Sequence, residues 1–256
     1  MELKDKVAVV TGGASGIGAA LCRCFAQNGA KTVVAADIDL EGARTVAEET
    51  GGMAVSCDVS HEQDIIDLVE TVEEKCGPID LFCSNAGILI AGALEVPNQD
   101  WQRIWEINVM AHVYAARAVM DKMMARGVGW FVVTASAAGL LSQIGSAPYS
   151  VTKHAAVGLA ENLAITYADQ GIGVSAICPQ AVETKMTRQG GGVAAVDGMI
   201  DADKVAAETL NALAEERFLV LPHPEVATYM ERKAADYDRW LKGMRRLQAR
   251  FVQNTG

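Results

Sequence analysis

The stretch PYSVTK, residues 148–153, sets a tyrosine four residues before a lysine. On a helix that spacing puts Tyr149 and Lys153 on one face, a turn apart. A free phenol titrates at about 10, and a cation held within about 4–6 Å favours its phenolate. Bringing the phenol to about 7 takes roughly 4 kcal/mol, at about 1.36 kcal/mol per unit. A fixed lysine and a second cation in a partly desolvated site can supply that. The expectation is a tyrosine lowered by Lys153 until it trades protons near neutral pH, as a general acid/base must. Ser136 stands thirteen residues before Tyr149, at the end of the run WFVVTAS. A Tyr–Lys pair is also an ordinary surface pair, so its surroundings have to decide.

A second constellation lies near the N-terminus. TGGASGIG places Gly12, Gly13, Gly16 and Gly18 directly after the apolar run VAVV. A glycine cluster alone is equally a tight turn. Between a strand and a helix, however, its backbone N–H groups and the helix N-terminus can hold a pyrophosphate. Gly12, Ser15, Gly16, Ile17 and Gly18 are therefore expected at a dinucleotide. The spacing G-x-x-x-G-x-G differs from the commoner G-x-G-x-x-G. Asp37 follows Gly18 by nineteen residues, at the end of TVVAAD. A carboxylate there accepts from ribose hydroxyls and repels a 2′-phosphate. No arginine or lysine follows in ADIDL, so NAD is expected rather than NADP. Asp39 is the better cap for the next helix.

The elements that must position these residues alternate. Short apolar runs, beginning with VAVVTG and TVVAAD and ending with FLVLP at residues 218–222, are separated by helix-length segments. Helices are expected over 16–29, 40–50, 62–76, 98–126 and 149–170. Continuous apolar strands between helices mean a parallel sheet covered on both faces. The handedness rule then gives a single doubly wound α/β domain of Rossmann type. Ligands lie over the carboxyl ends of such strands. That places Asp58 and Val59 of CDVS, and Asn85, Ala86 and Gly87 of SNAG, at the cofactor. Residues 184–200, with three consecutive glycines, read as a mobile substrate loop.

Composition excludes several classes. Of the 256 residues, 50% are hydrophobic and 21% charged, enough for a core without disulfides or metals. The formal net charge of −10 argues against a nucleic-acid or anionic-membrane partner. No secretory leader or membrane-length apolar run is visible. The six cysteines form no C-x-x-C pair and the four histidines are scattered. Reduced thiols, no metal site and a cytoplasmic location are expected.

Together, TGGASGIG, SNAG, Asn108 in WEINVMA, Ser136 in VVTASA and YSVTK resemble the short-chain dehydrogenase/reductase family. The match runs in order from residue 5 to about residue 185. The resemblance implies a seven-stranded parallel sheet. It implies Tyr149 as general acid/base, Lys153 as the group that tunes it and binds the nicotinamide ribose, and Ser136 as the hydroxyl on the substrate oxygen. It implies that a helix distortion at Asn108 anchors a water in a proton relay through Lys153. Pro179, Val182 and Thr184 match cofactor-contacting positions.

Two departures stand out. Gln180 replaces the glycine that usually follows Pro179, and offers the substrate a polar handle. FLVLPHPE is followed by about thirty residues of helical pattern rather than a short close. Its stripe Tyr237, Trp240, Met244 and Leu247 reads as a helix packed on its own domain, a substrate wall or a subunit interface. A homodimer through the helices at 98–126 and 149–170 is expected, with a tetramer as the alternative. Ile88, Leu89, Leu140, Leu141, Ile144 and Met186 are the expected substrate wall, so the substrate is a hydrophobic secondary alcohol or ketone. The rivals are a 3-oxoacyl-carrier-protein reductase using NADPH, with a basic docking face, and a non-catalytic dinucleotide sensor.

Overall fold

The computed structural model describes residues 1–187 and 192–254. Seven strands form one parallel sheet in the order β3-β2-β1-β4-β5-β6-β7. They are β1 Val7–Thr11, β2 Thr32–Asp37, β3 Met53–Ser56, β4 Leu81–Ser84, β5 Gly129–Thr134, β6 Ile172–Ile177 and β7 Leu219–Val220. Every residue of β1, β4 and β5 is buried, which is why these runs are continuously apolar. Phe82 and Phe131 stack across β4 and β5 with centroids 5.9 Å apart. The strand order reverses between β1 and β4, and a crevice opens at such a switch point.

Helices cover both faces. One core joins the sheet to α1 (Gly16–Gln27), α2 (Leu40–Thr50) and α8 (Ala202–Ala214). The other joins it to α3 (Glu62–Cys76), α5 (Ala111–Arg126) and α7 (Ala147–Tyr167). Ser146 caps α7 by accepting from the Tyr149 amide, and Pro148 sits in the first turn. The helix thus starts two residues before the expected position.

The expected helix over 98–126 is not regular. α4 (Asn98–Trp105) passes into a π turn at Glu106–Met110 before α5 begins. The cause is Asn108. Its Oδ1 accepts from the Ile88 amide at 2.8 Å, and its Nδ2 donates to the Ile88 carbonyl at 2.9 Å. Nδ2 also reaches Thr152 Oγ1 at 3.3 Å. A widened turn lets the helix hold this side chain on a segment outside it.

The segment expected as a mobile loop contains short 3₁₀ turns at Lys185–Thr187 and Gly192–Ala195. Its residues 188–191 lie outside the described residues. The tail divides at Asp236 into α9 (Glu225–Ala235) and α10 (Tyr237–Asn254). Val226 of α9 is fully buried against Ala137 and Leu141, the latter on α6 (Ala138–Leu141). α10 packs on α9, with Trp240 and Tyr229 rings 6.4 Å apart. Among the described residues no helix is long and apolar enough to cross a membrane.

Candidate active site

A cleft of about 1400 Å³ runs over the carboxyl ends of the strands. At one end lie Gly12, Ser15, Gly16, Ile17, Asp37, Asp58 and Val59; Asn85, Ala86 and Gly87 join them along the wall. Gly12 has φ +66° and lies on the cleft, a conformation that favours glycine. Gly18 is off the cleft, contrary to expectation. A Cβ there would stand 2.0 Å from the Gly12 carbonyl oxygen, so its role is to let α1 close on the loop.

Asp37 is braced without being consumed. Its Oδ2 accepts from the Ala14 amide at 3.0 Å and its Oδ1 from the Asp39 amide at 2.9 Å. Asp39 caps α2 through the Gly42 amide, so Asp37 keeps acceptor capacity for a ligand. Asn85 knits three strand ends together. Its Nδ2 donates to the Thr11 carbonyl at 2.9 Å, and its Oδ1 accepts from Thr134 Oγ1 at 3.0 Å. Thr11 Oγ1 accepts from the Asn85 and Ala86 amides. These threonines were not singled out in the sequence; a Thr ending each of β1 and β5 was the available signal. The cleft's size exceeds the roughly 300–1000 Å³ of common ligand sites. With the left-handed glycine and the carboxylate on β2, it fits a dinucleotide with room for a substrate.

At the other end the cleft meets Ser136, Tyr149, Lys153, Pro179, Val182 and Thr184. Lys153 is buried and donates from Nζ to the Thr134 carbonyl at 2.8 Å. The same Nζ is 5.6 Å from the Tyr149 ring centroid. Ser136 Oγ accepts from the Ala138 amide at 3.1 Å and donates to the Pro179 carbonyl at 3.3 Å. Asn108 is fully buried behind this end and does not reach the cleft wall. His112 is buried nearby, its Nδ1 2.7 Å from Ser84 Oγ. Burial, then the Lys153 charge, hold it down at about 3, so it stays neutral.

The electrostatics correct one expectation. Tyr149 is raised, not lowered: burial of the phenol pushes it up, outweighing the Ser136 hydroxyl that pulls it down. Lys153 spends its nearest hydrogen bond on the Thr134 carbonyl. Burial brings Lys153 itself down from 10.5 to about 8. The helical spacing supplied a shared face; desolvation decided the sign.

Of the residues expected on a substrate wall, Ile88, Leu89, Ile144, Gln180 and Met186 line the cleft. Leu140 does not. It packs inward with Val226, and its carbonyl accepts from Lys233 Nζ at 2.6 Å. Leu141 instead lines a second cavity of about 730 Å³, which shares Ser136, Gln143 and Gln180 with the cleft. Trp240, Met244 and Leu247 form part of its wall, whereas Tyr237 is 56% exposed and lies off it. Gln180 Nε2 donates to Asp197 Oδ2 at 3.1 Å, and Tyr229 donates to Asp197 Oδ1 at 2.9 Å. The residue that departs from the resemblance thus ties β6 to the tail.

The lysine generates a stability test. The folded chain gives up the Lys153 proton at about 8 and the unfolded chain at 10.5. The unfolded chain binds more protons between those values, so stability rises with pH through that window. At neutral pH the buried charge costs about 3 kcal/mol, against about 1.5–3 kcal/mol for the charged hydrogen bond to Thr134. Lys153→Met is expected to raise Tm at pH 7 by up to about 6 °C, with the gain fading between pH 8 and 10.5. Paired melting curves across pH measure this; a lower Tm for the variant at pH 7 contradicts it.

The geometry has counterparts among known proteins. The family model described as short chain dehydrogenase matches residues 6–191. The 1-deoxy-11-beta-hydroxypentalenate dehydrogenase of Streptomyces exfoliatus is 35% identical over 240 residues, 88% of this chain and 86% of that protein. The 3beta-hydroxysteroid dehydrogenase 2 of Eggerthella lenta is 34% identical over 192 residues, 72% of this chain and 74% of that one. A crystal structure of a short chain dehydrogenase/reductase from Burkholderia phymatum in complex with NAD superimposes with TM-score 0.86 at 30% identity, covering 93% of this chain and 96% of that one. Sheet order, strand-end cleft and matched sequence agree, and the chain belongs to the short-chain dehydrogenase/reductase family, oxidoreductases that use a nicotinamide cofactor.

Proposed function

We propose that the protein is an NAD-dependent dehydrogenase/reductase acting on a hydrophobic secondary alcohol or ketone. The observation that carries this reading is a single cleft with Asp37 at one end and Ser136, Tyr149 and Lys153 at the other. Relatives named for a hydroxysteroid and a hydroxypentalenate support a hydroxyl as the reacting group. The apolar side chains Ile88, Ile144 and Met186 support a hydrophobic body around it.

Bound in the cleft, the nicotinamide supplies the hydride acceptor or donor and, when oxidised, a positive charge. Tyr149 takes the hydroxyl proton during oxidation and returns it to the carbonyl oxygen during reduction. Ser136 holds that oxygen. The burial that raises Tyr149 keeps the phenol protonated, which suits the donor role. Lys153 holds the phenolate when it forms and binds the ribose. Asn108 positions the Ile88 backbone at the reacting end, and the relay role implied by the resemblance is retained as part of this proposal. Tyr149→Phe is expected to lower kcat for alcohol oxidation by at least about 10²–10⁴-fold with Tm nearly unchanged. Absorbance at 340 nm with NAD⁺ and a panel of secondary alcohols reads this, and a variant retaining its rate removes Tyr149 from the chemistry.

Asp37 supports NAD over NADP. Ile38 beside it is 72% exposed on the cleft, so Asp37→Ala with Ile38→Arg leaves the core intact. The pair of substitutions is expected to move the NADH/NADPH ratio of kcat/KM toward NADPH by at least about tenfold, through removed repulsion and an added phosphate partner. A wild-type preference for NADPH contradicts the reading. The carrier-protein reductase meets one favourable feature, a basic α10, but Asp37 opposes its usual cofactor.

We also propose a homodimer through α4, α5 and α7. Val151, Gly158 and Ile165 are exposed and recur every seven residues along the outer face of α7. A Cβ at Gly158 meets nothing within 4 Å, so Gly158→Arg is compatible with a folded subunit. Light scattering is expected to show a dimer for wild type and a monomer for this variant. An unchanged mass places the interface elsewhere.

A further inference from the structure

The last helix carries charge opposite to the chain as a whole. Against a net −10, α10 holds Arg239, Lys242, Arg245, Arg246 and Arg250 with one carboxylate, Asp238. Arg239, Arg246 and Arg250 are seven and four residues apart and fall on one stripe. With Arg232 of α9 they line the 730 Å³ cavity that shares Ser136 with the cleft. The neighbouring stripe of Trp240, Met244 and Leu247 is apolar and lines the same cavity.

These arginines have no ion-pair partner among the described residues. None of the salt bridges there involves Arg232, Arg239, Arg246 or Arg250. Of the nearby carboxylates, Asp197 accepts from Gln180 and Tyr229, and Asp236, which also lines the cavity, accepts from the Arg239 amide and forms no ion pair with these arginines. Like charges at helical spacing repel, and a guanidinium is the side chain best shaped to grip a carboxylate or phosphate. Gly243 adds an independent observation. It lies in the middle of α10 on the cavity wall, and a Cβ there would meet nothing within 4 Å. Glycine costs a helix about 0.5–1 kcal/mol relative to alanine, and no protein neighbour requires it here. What it provides is hollow space beside the arginines.

We propose that this cavity seats the remote end of the substrate, and that the substrate is an apolar alcohol or ketone bearing an anionic group, carboxylate or phosphate, away from its reacting carbon. The proposal rests on the reading of Ser136 and Tyr149 as the reacting end and narrows the substrate class of that same site. The arginines are themselves exposed, but they border a volume that reaches Ser136 and has an apolar wall of Trp240, Met244 and Leu247, which fits a small amphipathic anion. Arg239 to Arg250 spans about 16 Å of helix, at about 1.5 Å per residue, so the stripe can meet anions at several chain lengths.

The test uses binding and turnover together. Octanoate, octyl phosphate and octan-2-ol are titrated calorimetrically into the full chain, and into Arg239→Ala/Arg246→Ala and Gly243→Leu. Wild type is expected to bind one or both anions at least about tenfold more tightly than octan-2-ol, with salt weakening only the anions; which anion wins separates carboxylate from phosphate. The double variant is expected to lose that preference. Gly243→Leu is expected to weaken every probe while Tm holds or rises, which separates cavity filling from misfolding. With NAD⁺, the ratio of kcat/KM for 7-hydroxyoctanoate over octan-2-ol is expected to fall at least about tenfold in the double variant. Arginine-dependent anion binding without turnover of either alcohol supports the anion site and overturns the alcohol-oxidation reading instead. Equal binding of anion and alcohol, or anion binding indifferent to the double variant, overturns the proposal. So does capture of an acidic carrier protein by α10 with no binding of the small anions.

Discussion

The Tyr149 end of the cleft depends on one buried charge. Lys153 is buried at the cleft wall, and among the described residues its ammonium has one hydrogen-bond acceptor, the Thr134 carbonyl. A buried cation is tolerated only where its surroundings are fixed, and several elements fix it from different directions. The Phe82–Phe131 stack sets β4 beside β5, so the end of β5 presents its carbonyl at one place. Ser146 and Pro148 set where α7 begins, and therefore which residues of its first turns face the sheet. Asn108 clamps Ile88 at the neighbouring strand end and touches Thr152, next to the lysine. Loosening any of these would move the ammonium relative to the Tyr149 ring, 5.6 Å away.

The two ends of the cleft are built by different physics. The cofactor end is backbone: a left-handed glycine, a close helix–loop approach, and a carboxylate held by two amides. Such features admit few side-chain alternatives. The other end is side chains on loops and on tail helices, joined by the Gln180–Asp197–Tyr229 bridge. Those contacts can be exchanged one at a time without disturbing a strand.

This division explains what the sequence made legible. The sheet, the glycine loop and Asp37 were readable because buried parallel strands and tight turns restrict residue type strongly. The π turn at Glu106–Met110 was announced only by the resemblance at Asn108, because its cause is a hydrogen bond to Ile88, twenty residues away, while the local pattern stays helical. Leu140 and Leu141 were both expected on the substrate wall. α6 is a single turn with no period to read, and only Leu141 faces a cavity. The direction of the Tyr149 shift escaped for a related reason: spacing fixes a face, but the depth of burial is set by the whole fold. The arginines of α10 were hidden by averaging, since a net −10 says nothing of where the positive charge collects.

Asp236, with φ −154°, breaks the tail into two helices attached differently. α9 is pinned to the body by Val226 and by Lys233 on the Leu140 carbonyl. α10 hangs from α9, and its matching sequence lies beyond the 6–191 span of the family model. In the order of synthesis the cofactor cradle is therefore complete before the arginine wall exists. Along the chain the two are separate: the glycine loop and strand ends of the cradle lie within residues 6–191 and the arginines of α10 beyond them. Substitutions in that wall can therefore accumulate without disturbing the strands that carry the cleft.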